Sequence, residues 1–370
     1  MVVSSFAGRL RRFSELSRSA AGRYGLSRFA LAMRLLRIYR RSGIRPVEAI
    51  ESGLLDPSLS EEMLAGCFGK MQFLELQDRL NPRELTCLTE DKAIFYPLCS
   101  GLGVPVPALF AVIGRGGGWT AGGVPLADHA ACLRYLSEGV PDEFVVKPAA
   151  GVYGEGVAVL RRDTGGFVDH AGRVLSTAEV CEKMFKDPKY DRFILQERLK
   201  NHPDLEQLTG SAYLQTVRIA TLVDRRGDAR VIYAEWKLIA GDLPTDNYSF
   251  GRSGNYLANI ALETGALGPA MTLALDGVGS RVAEVHPRTG RSLVGYRLPG
   301  WDDLVALARR CALLFQPLRT VGWDIGVTPR GPVVIEGNRW WDPPTSNIVG
   351  PQAPGVALHP IAASADLLWQ

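Results

Sequence analysis

The sequence lacks paired cysteines and long apolar runs, and each absence excludes a class of protein. Its six cysteines, at positions 67, 87, 99, 132, 181 and 311, form no C-x-x-C pair, which argues against a disulfide framework or a zinc site. The longest apolar runs, such as Ala108 to Ile113, fall far short of the ~18 residues that a membrane-spanning helix needs. The N-terminus has no secretory apolar segment. Together these features predict a soluble cytoplasmic protein.

The composition that remains is that of a globular chain. It has 370 residues, of which 46% are hydrophobic and 22% are charged. This length allows two or three packed domains, and the apolar content is enough for a substantial core. The same composition excludes a disordered tail, a collagen-like repeat and a coiled coil.

Acidic residues and lysine are scarce at the start of the chain. Residues 1–50 contain eleven arginines, no lysine and two acids, a net charge of +9 that the rest of the chain, at −6, reduces to a total of +3. Phe29, Met33 and Leu36 fall on one helical stripe among these arginines. Residues 1–45 suit an anionic membrane or an acidic partner, or else the solvated face of ordinary helices, which is the simpler interpretation. No nucleic-acid motif accompanies the arginines, so nucleic acid is not expected as a partner.

The hydrophobic period changes along the chain. The first eighty residues have a helical pattern, while strands are predicted at 144–148, 157–160, 193–196, 216–223 and 230–239, with another pair around Asp324 and Glu336. Helices are predicted at 179–185 and 301–314, and the Gly-rich residues 114–123 are predicted as a loop. Strands interleaved with helices, several linked as hairpins, predict α/β or α+β layers.

One segment has the composition of a phosphate-binding loop. A strand delivers Lys147, and Gly151, Gly154 and Gly156 follow before a second strand begins. Closely spaced glycines let backbone N–H groups approach an anion, and the lysine ammonium adds a positive charge. The segment is neither a Walker P-loop nor a dinucleotide fingerprint, because no helix follows it. On its own it is equally consistent with a Gly-rich hairpin turn and a surface lysine.

A second segment, residues 321–338, predicts a β-hairpin with three oxygen-bearing side chains. Asp324 lies on one strand, while Glu336 and Asn338 share a face of the returning strand because they are two residues apart. The hairpin loop sets Asp324 roughly opposite Glu336. Facing carboxylates repel unless a cation lies between them, and carboxylate and amide oxygens suit Mg²⁺. The alternative is a solvated acidic face, which the flanking glycines disfavour.

The order of these parts strongly resembles the ATP-grasp superfamily, over about Asp91 to Asn347. Within it the sequence is most similar to the sugar-transfer-associated group, related to amino-acid ligases, through motifs such as Tyr248-Ser-Phe-Gly-Arg-Ser-Gly-Asn255 and Val321-Gly-Trp-Asp. The resemblance implies an α+β fold in which two α/β subdomains clasp ATP between antiparallel sheets. It implies a helical N-terminal region at 1–85, an N-terminal subdomain at 86–140, a lid subdomain at 141–198 and a catalytic subdomain at 199–370.

The resemblance also assigns residues to the nucleotide and the metal. The implied nucleotide-binding residues are Lys92, Lys147, Gly151, Gly154, Gly156, Gln196, Glu197, Leu199 and Asp204. The two lysines would hold phosphates, and residues 196–199 would form the hinge that contacts adenine. The carboxylate at position 204 would bind the ribose, and it is an Asp here where the family has Glu. The implied ligands of Mg²⁺, or of Mn²⁺ as an alternative metal, are Asp324, Glu336 and Asn338.

Three further side chains are candidates for the chemistry, each with a structural alternative. Arg218 is suited to hold the transferring phosphate or the acyl oxygen bidentately, or else faces solvent from a strand. Lys237 is either a further phosphate contact or a solvated strand lysine. Arg252 and Asn255 lie in a Gly-rich loop that would clamp the acceptor substrate or would simply be flexible.

The resemblance implies an ATP-dependent carboxylate–amine ligase, active in polysaccharide, glycoconjugate or secondary metabolism. A carboxylate would attack the γ-phosphate of ATP to give ADP and an acylphosphate, and an amine would then displace phosphate to form an amide. The sequence does not identify these two small molecules, and a homo-oligomer is left open. Two alternatives stand beside the ligase: a small-molecule kinase that phosphorylates a hydroxyl, and a nucleotide-binding scaffold that recruits glycan enzymes at a membrane.

Overall fold

The computed structural model describes residues 6–65, 67, 69–151 and 154–342. Helices dominate the first hundred residues, as the sequence pattern predicts. They are α1 (Phe6–Tyr24), α2 (Arg28–Ser42), α3 (Pro46–Glu51), α4 (Glu61–Ala65), α5 (Lys70–Leu80), α6 (Cys87–Glu90) and α7 (Lys92–Gly101), with a 3₁₀ turn at Arg83–Leu85. Among the described helices, none has both the length and the apolar character needed to cross a bilayer.

Local chemistry sets the ends of these helices. The hydroxyl of Ser27 accepts a hydrogen bond from the backbone N–H of Ala30 and so caps the start of α2. Gly43 ends α2 in the left-handed conformation, with φ of 62°, which a glycine adopts without steric cost. Pro46 opens α3, where its missing N–H is not needed. Helices α1 to α4 then bury a small core of their own, which includes Leu35, Ile50 and, from the far part of the chain, Val278.

The first sheet has eight strands, and every neighbouring pair is antiparallel. They are β1 (Leu109–Gly114), β2 (Gly118–Thr120), β3 (Pro125–Leu126), β4 (Glu143–Pro148), β5 (Ala158–Asp163), β6 (Gly166–Asp169), β7 (Val174–Leu175) and β8 (Arg192–Glu197). Their spatial order is β3-β2-β1-β8-β4-β5-β6-β7. Two helices, α8 (His129–Arg134) and α9 (Thr177–Phe185), share its core, which includes Leu136, Phe144 and Phe167.

The second sheet has seven strands and is also antiparallel throughout. They are β9 (Thr216–Val223), β10 (Ala229–Leu238), β11 (Tyr256–Ile260), β12 (Leu267–Leu273), β13 (Ser280–Ala283), β14 (Thr320–Thr328) and β15 (Gly331–Asn338), in the order β13-β12-β11-β10-β9-β14-β15. Helix α11 (Trp301–Leu314) packs on one face through Leu304 and Ala308, above the buried indoles of Trp236 and Trp323. A short helix, α10 (Pro203–Thr209), precedes β9. Two antiparallel sheets with helices confirm the predicted α+β fold.

Two sequence-based expectations differ from the structure. Residues 114–123 are not only a loop, because β2 pairs with β1 there, and a Cβ on Gly118 would lie 2.0 Å from the carbonyl oxygen of Val112. That glycine allows the close strand approach. The predicted boundary between residues 140 and 141 falls inside one sheet and one core, since β1 pairs with β8 and both strands contribute to the same buried cluster. Of the predicted catalytic subdomain, residues 343–370 lie outside the described part of the chain.

Candidate active site

A cavity of about 1110 Å³ is lined by residues of both sheets. The sequence-predicted residues that line it are Lys92, Lys147, Gly151, Gly154, Gln196, Glu197, Leu199, Arg218, Lys237, Asp324, Glu336 and Asn338. The N-terminal helices form a further wall, through Val47 and Glu51 on α3 and Met71 and Leu74 on α5. The volume is slightly above the ~300–1,000 Å³ typical of a single small-molecule site, so there is room for a nucleotide and a second substrate.

The β14–β15 hairpin places three oxygen-bearing side chains together, as the alternation pattern predicts. Asp324 pairs in register with Glu336, and Gly322 pairs with Asn338. The absence of a side chain at Gly322 is required, because a Cβ there would lie 2.7 Å from the Cβ of Trp341. The indole of Trp341 is buried and packs edge-on against Phe73, whereas Trp340 is partly exposed and lines the cavity.

Asp324 is held by two cations of the protein itself. Nη2 of Arg218 donates to Oδ2 of Asp324 over 3.0 Å, Nε of Arg218 donates to the other carboxylate oxygen, and Nζ of Lys237 lies 2.7 Å from Oδ2. Burial by itself would raise the pKa of Asp324, but the charges of Arg218 and Lys237 outweigh it and hold that pKa well below its usual range. Arg218 and Lys237 are therefore mostly buried and face the site, so the solvent-facing alternative for both is wrong.

A row of polar side chains crosses the second sheet through this pair. In register from one edge, Glu336 on β15 neighbours Asp324 on β14, then Arg218 on β9, Glu235 on β10 and Asn259 on β11. Neighbouring strands lie ~4.8 Å apart, so charges at successive positions interact strongly where water is excluded. Burial raises the pKa of Glu235, although a hydrogen bond from Tyr233 and the charge of Arg218 oppose that shift.

The two predicted phosphate-binding lysines lie next to this row. Nζ of Lys92 is 3.1 Å from Oε1 of Glu336 and donates to the carbonyl of Gly151 over 2.9 Å. Nζ of Lys147 donates to the hydroxyl of Tyr96 over 2.8 Å. Burial lowers the pKa of Lys147 to about 7, with Glu336 opposing the shift and Lys92 adding to it. Burial would raise the pKa of Glu336, but Lys92 and Lys147 outweigh it and the pKa is lowered.

The donor set fits a hard divalent cation. Among the described residues, no group of three or more His, Cys, Asp or Glu side chains is arranged to hold a metal ion. Mg²⁺ is, however, usually bound through one or two carboxylates together with substrate phosphates and water. Asp324 and Glu336 supply two carboxylates, and Asn338 contributes an amide beside them, with its Nδ2 now 3.4 Å from Oδ2 of Asp324. These residues would hold the metal at the phosphate end of the cavity.

At the end of the cavity where adenine is predicted to bind, some polar groups lack a hydrogen-bond partner among the described residues. The buried Oε1 of Gln196 has no hydrogen-bond partner among the described residues. Leu199, which also lines the cavity, makes no backbone hydrogen bond to any described residue. The side chain of Glu197 is already engaged, because Oε1 accepts from Arg330 over 2.7 Å and Oε2 from the backbone of Ala108 over 3.2 Å. Gln196 and the backbone at Leu199 are therefore freer to contact a base than the Glu197 carboxylate.

Each of the three loop positions favours glycine, but for different structural reasons. Gly154 lines the cavity with φ of 68°, where a side chain would be strained. At Gly156, with φ of 71°, and at Gly151, a Cβ would lie 2.9 Å from the ring of Pro148. Gly156 is not among the cavity-lining residues. Residues 152 and 153 of this loop lie outside the described part of the chain.

Two predicted site residues lie away from the cavity. Asp204 is in the first turn of α10 with its side chain 64% exposed, and it lines a separate surface groove with Glu206 and Gly210. Because helix α10 starts at Pro203, the side chain of Asp204 points away from the hinge. The expected contact of Asp204 with the ribose is therefore not supported by its position. Arg252 is also not a lining residue, and its nearest acid is Glu51 at 3.8 Å.

Asn255 has a structural role next to Arg252. Its Oδ1 accepts from the backbone N–H groups of Ala240 and Gly241, and its Nδ2 donates to the carbonyls of Thr245 and Asn247. The side chain is fully buried. It therefore fixes the loop at 241–254, whose residues Thr245 to Ser249 line the cavity.

The comparison with known families agrees with this arrangement. The family described as sugar-transfer associated ATP-grasp matches residues 72–353, about three quarters of the chain. The chain belongs to the sugar-transfer associated ATP-grasp family. The match begins within α5, so α1 to α4 precede it. No similar sequence was found among functionally curated proteins.

Solved structures that resemble this ATP-grasp chain do so at low identity. The VanG D-Ala:D-Ser ligase from Enterococcus faecalis is 14% identical, with 81% of this chain and 66% of that chain covered and a TM-score of 0.41. The biotin carboxylase domain of the Hydrogenobacter thermophilus 2-oxoglutarate carboxylase is 12% identical over 73% and 45% of the two chains, with a TM-score of 0.39. PurK, N5-carboxyaminoimidazole ribonucleotide synthetase, is 13% identical over 75% and 52%, with a TM-score of 0.38. The ATP-grasp chain thus spans about half to two thirds of the length of these proteins.

Three further residues at or next to the ATP-grasp cavity are not marked by the motifs of the sequence. Glu235 is two positions before Lys237 on β10, so strand alternation alone could have placed both on the cavity face. Asp246 is half-buried at the cavity, where its Oδ2 accepts from the backbone N–H of Thr216 over 2.7 Å, and burial raises its pKa. It lies in an irregular loop, and Tyr96 reaches Lys147 from a helix remote in sequence, so no spacing signal marks either residue.

Proposed function

We propose that the chain is an ATP-dependent carboxylate–amine ligase that forms an amide through an acylphosphate, in polysaccharide, glycoconjugate or secondary metabolism. One observation carries this proposal. The ammonium of Lys92 is 3.1 Å from Glu336, so phosphate-binding cations and metal-binding oxygens meet in one cavity. A site for phosphoryl transfer needs both, because the transferred group is anionic and its charge must be neutralised as it moves.

The first step transfers the γ-phosphate of ATP to the substrate carboxylate. A carboxylate oxygen attacks the γ-phosphorus, the bond to the β,γ-bridging oxygen breaks, and ADP leaves. In this proposal Lys92 and Lys147 hold the phosphates in line, while Arg218, whose guanidinium is beside Asp324, holds the transferred group and the acyl oxygen. A bound Mg²⁺ supplies charge neutralisation across the phosphate oxygens.

The second step joins the amine to the acylphosphate. The amine attacks the acyl carbon, phosphate leaves, and the nitrogen loses a proton as the amide forms. Glu235 and Asp246 face the same cavity on the side of Arg218 and Lys237 away from Glu336, and burial raises the pKa of both carboxyl groups. A raised pKa makes a carboxylate a better proton acceptor. We assign Glu235 the binding and deprotonation of the amine, with Asp246 beside it.

The test measures which products ATP gives. The full chain with ATP and Mg²⁺ is incubated with pools of small carboxylates and amines, and ADP and free phosphate are followed by ³¹P NMR. Equal release of ADP and phosphate that depends on both a carboxylate and an amine is the expected result. With hydroxylamine in place of the amine, the acylphosphate is trapped as a hydroxamate.

Two variants separate chemistry from folding in this test. Asp324→Asn should abolish hydroxamate formation, while Glu263→Gln, at an exposed position outside the cavity, should leave it unchanged. ADP released without free phosphate, with a phosphorylated hydroxyl compound as product, would identify a kinase instead. No turnover with any pool, in a chain that binds ATP, would favour the scaffold.

A further inference from the structure

The outer face of α2 is apolar although it is exposed. Phe29, Met33 and Leu36 recur at spacings of four and three residues, so they lie on one face of the helix. Their exposed fractions are 77%, 48% and 40%. The opposite face, through Leu31, Leu35 and Ile38, is buried in the N-terminal core. The outer stripe is therefore a second apolar face that the core of this chain does not use.

Helix α1 also exposes apolar side chains. Phe6 and Leu10 lie one turn apart and are 71% and 53% exposed. Further along the same helix, Leu16 and Ala20 are buried against α2 and α3. The first turns of α1 thus leave the core and carry their apolar side chains into solvent. Exposed apolar residues scattered singly are ordinary, but apolar side chains that recur on one exposed helix face, with two more on the neighbouring helix, indicate an interaction surface, and these five side chains are called the patch.

The patch is surrounded by arginine. On α2, Arg28 lies on one side of the stripe, Arg37 lies on the other, and Arg40 continues the line of Phe29, Met33 and Leu36. Arg9, Arg18, Arg28 and Arg40 form no ion pair with any described residue and are exposed. Arg37 pairs only with Glu61, over 3.4 Å, between two exposed side chains. A partner that complements this surface is therefore apolar where it meets the stripe and anionic where it meets the arginines around it.

We propose that α1 and α2 bind the surface of a membrane that contains anionic lipids. The apolar side chains enter the boundary between headgroups and acyl chains, namely Phe6, Leu10, Phe29, Met33 and Leu36. The flanking arginines contact lipid phosphates, as the basic residues of an in-plane amphipathic helix do. A bilayer fits better than an acidic protein, because the patch lines no part of the large cavity and has arginines on both sides of its stripe on α2 rather than on one. The proposal does not depend on the ligase reaction.

Membrane docking would also orient the catalytic cavity. Helix α3 packs against both α1 and α2 and contributes Glu48 and Glu51 to the cavity wall. A guanidinium of α1, that of Arg12, donates to the carboxylate of Glu51. One helix thus separates the lipid-facing surface from the site.

Vesicle binding by the full chain tests the proposal. Co-sedimentation is measured with vesicles of phosphatidylcholine alone and with added phosphatidylglycerol. Binding is expected with the anionic vesicles and should weaken as salt is raised, since screening shortens the reach of the arginine charges. Each arginine near an anionic surface changes the partition coefficient by about fivefold, so Arg28→Gln with Arg40→Gln should weaken binding about 25-fold and leave binding to neutral vesicles unchanged.

The apolar contribution has its own matched pair of variants. Phe29→Ser with Met33→Ser should remove anionic-vesicle binding without lowering the thermal midpoint, because both side chains are exposed. Val124→Ser with Val174→Ser, exposed apolar positions near and on the first sheet, is the control and should bind as the wild type does. Failure of the wild type to bind anionic vesicles overturns the proposal. So does a dimer in sedimentation velocity that Phe29→Ser with Met33→Ser dissociates, which would make the patch an interface between copies.

Discussion

Arg218 and Asp324 face each other across β9 and β14, with Nη2 of Arg218 3.0 Å from Oδ2 of Asp324. The side chain of Asp324 is buried and that of Arg218 is mostly buried, with 6% and 14% of their side-chain surface exposed. The guanidinium also neighbours Glu235 in register on its other side. One cation therefore balances acids on both neighbouring strands, and the proposed chemistry and the stability of the sheet depend on the same contact.

Loss of Arg218 should destabilise the fold. Arg218→Ala leaves the buried Asp324 with Lys237 as its remaining partner, and breaking a buried pair costs about 3 kcal/mol. Urea denaturation should show this loss in the free energy of unfolding. The double variant Arg218→Ala with Asp324→Asn should lose less than the two single variants together, since the unpaired charge is then gone. Additive losses would mean that the two groups do not interact.

The same pair predicts how stability depends on pH. Because the folded-state pKa of Asp324 is well below the ~3.9 of an unfolded chain, its contribution is complete above about pH 5 and declines as the pH falls through the folded-state value. Wild type should therefore exceed Asp324→Asn in unfolding free energy by a constant amount near neutral pH. That difference should shrink below about pH 4. Thermal unfolding across this range checks it, and a difference that stays constant into strong acid would contradict the assignment.

Lys147 should make ATP affinity depend on pH. With its pKa lowered to about 7, Lys147 is increasingly neutral above pH 7 and must take up a proton to bind phosphate. ATP affinity should therefore fall as the pH rises, by at most about tenfold per pH unit. Isothermal titration in buffers of different ionisation enthalpy measures the proton uptake. Lys147→Ala should bind ATP weakly and without this uptake, whereas the exposed Lys183→Ala should match the wild type.

Glu235 should affect only the second half of the reaction. Glu235→Gln removes the proposed proton acceptor, so amide formation should fall by about 10²–10⁴-fold. Hydroxamate formation with hydroxylamine should change far less, because it reports the acylphosphate and uses a nucleophile that needs no strong base. The rates of amide formation and of hydroxamate formation, measured in parallel, separate an effect on the second half of the reaction from an effect on the first. Equal losses in the two would place Glu235 in the sheet as a counter-ion of Arg218 rather than at the amine.

Gly322 should resist substitution. A Cβ at this position would lie 2.7 Å from Cβ of Trp341 and 3.1 Å from Cδ of Arg218. Gly322→Ala should therefore cost about 1–3 kcal/mol of unfolding free energy and lower ATP turnover by displacing the guanidinium. Gly165→Ala, where the added carbon meets open space, should change stability by less than about 0.5 kcal/mol. Chemical denaturation of the two variants compares them directly.

The candidate site was only partly predictable from sequence. Period-two alternation and a short hairpin loop placed Asp324 opposite Glu336, because register in a hairpin follows from local geometry. The loop at Lys147 was recognisable from its glycines. The position of Asp204 was not predictable, because the helix that begins at Pro203 directs the Asp204 side chain into solvent. The seven-residue spacing from Glu197 to Asp204 would fix the direction of the side chain only within one regular element.

The sequence by itself determined strands β4, β8, β9 and β10, helices α9 and α11, the β14–β15 hairpin and the arginine-rich start of the chain, since each follows from short-range periodicity and composition. Tertiary structure decided the rest. Only the packing of β9 against β14 buries Arg218 with Asp324, and only the fold brings Tyr96 to Lys147 and Lys92 to Glu336. Charges and pKa values at these positions depend on neighbours far apart in sequence and on the exclusion of water, and neither is encoded by local spacing.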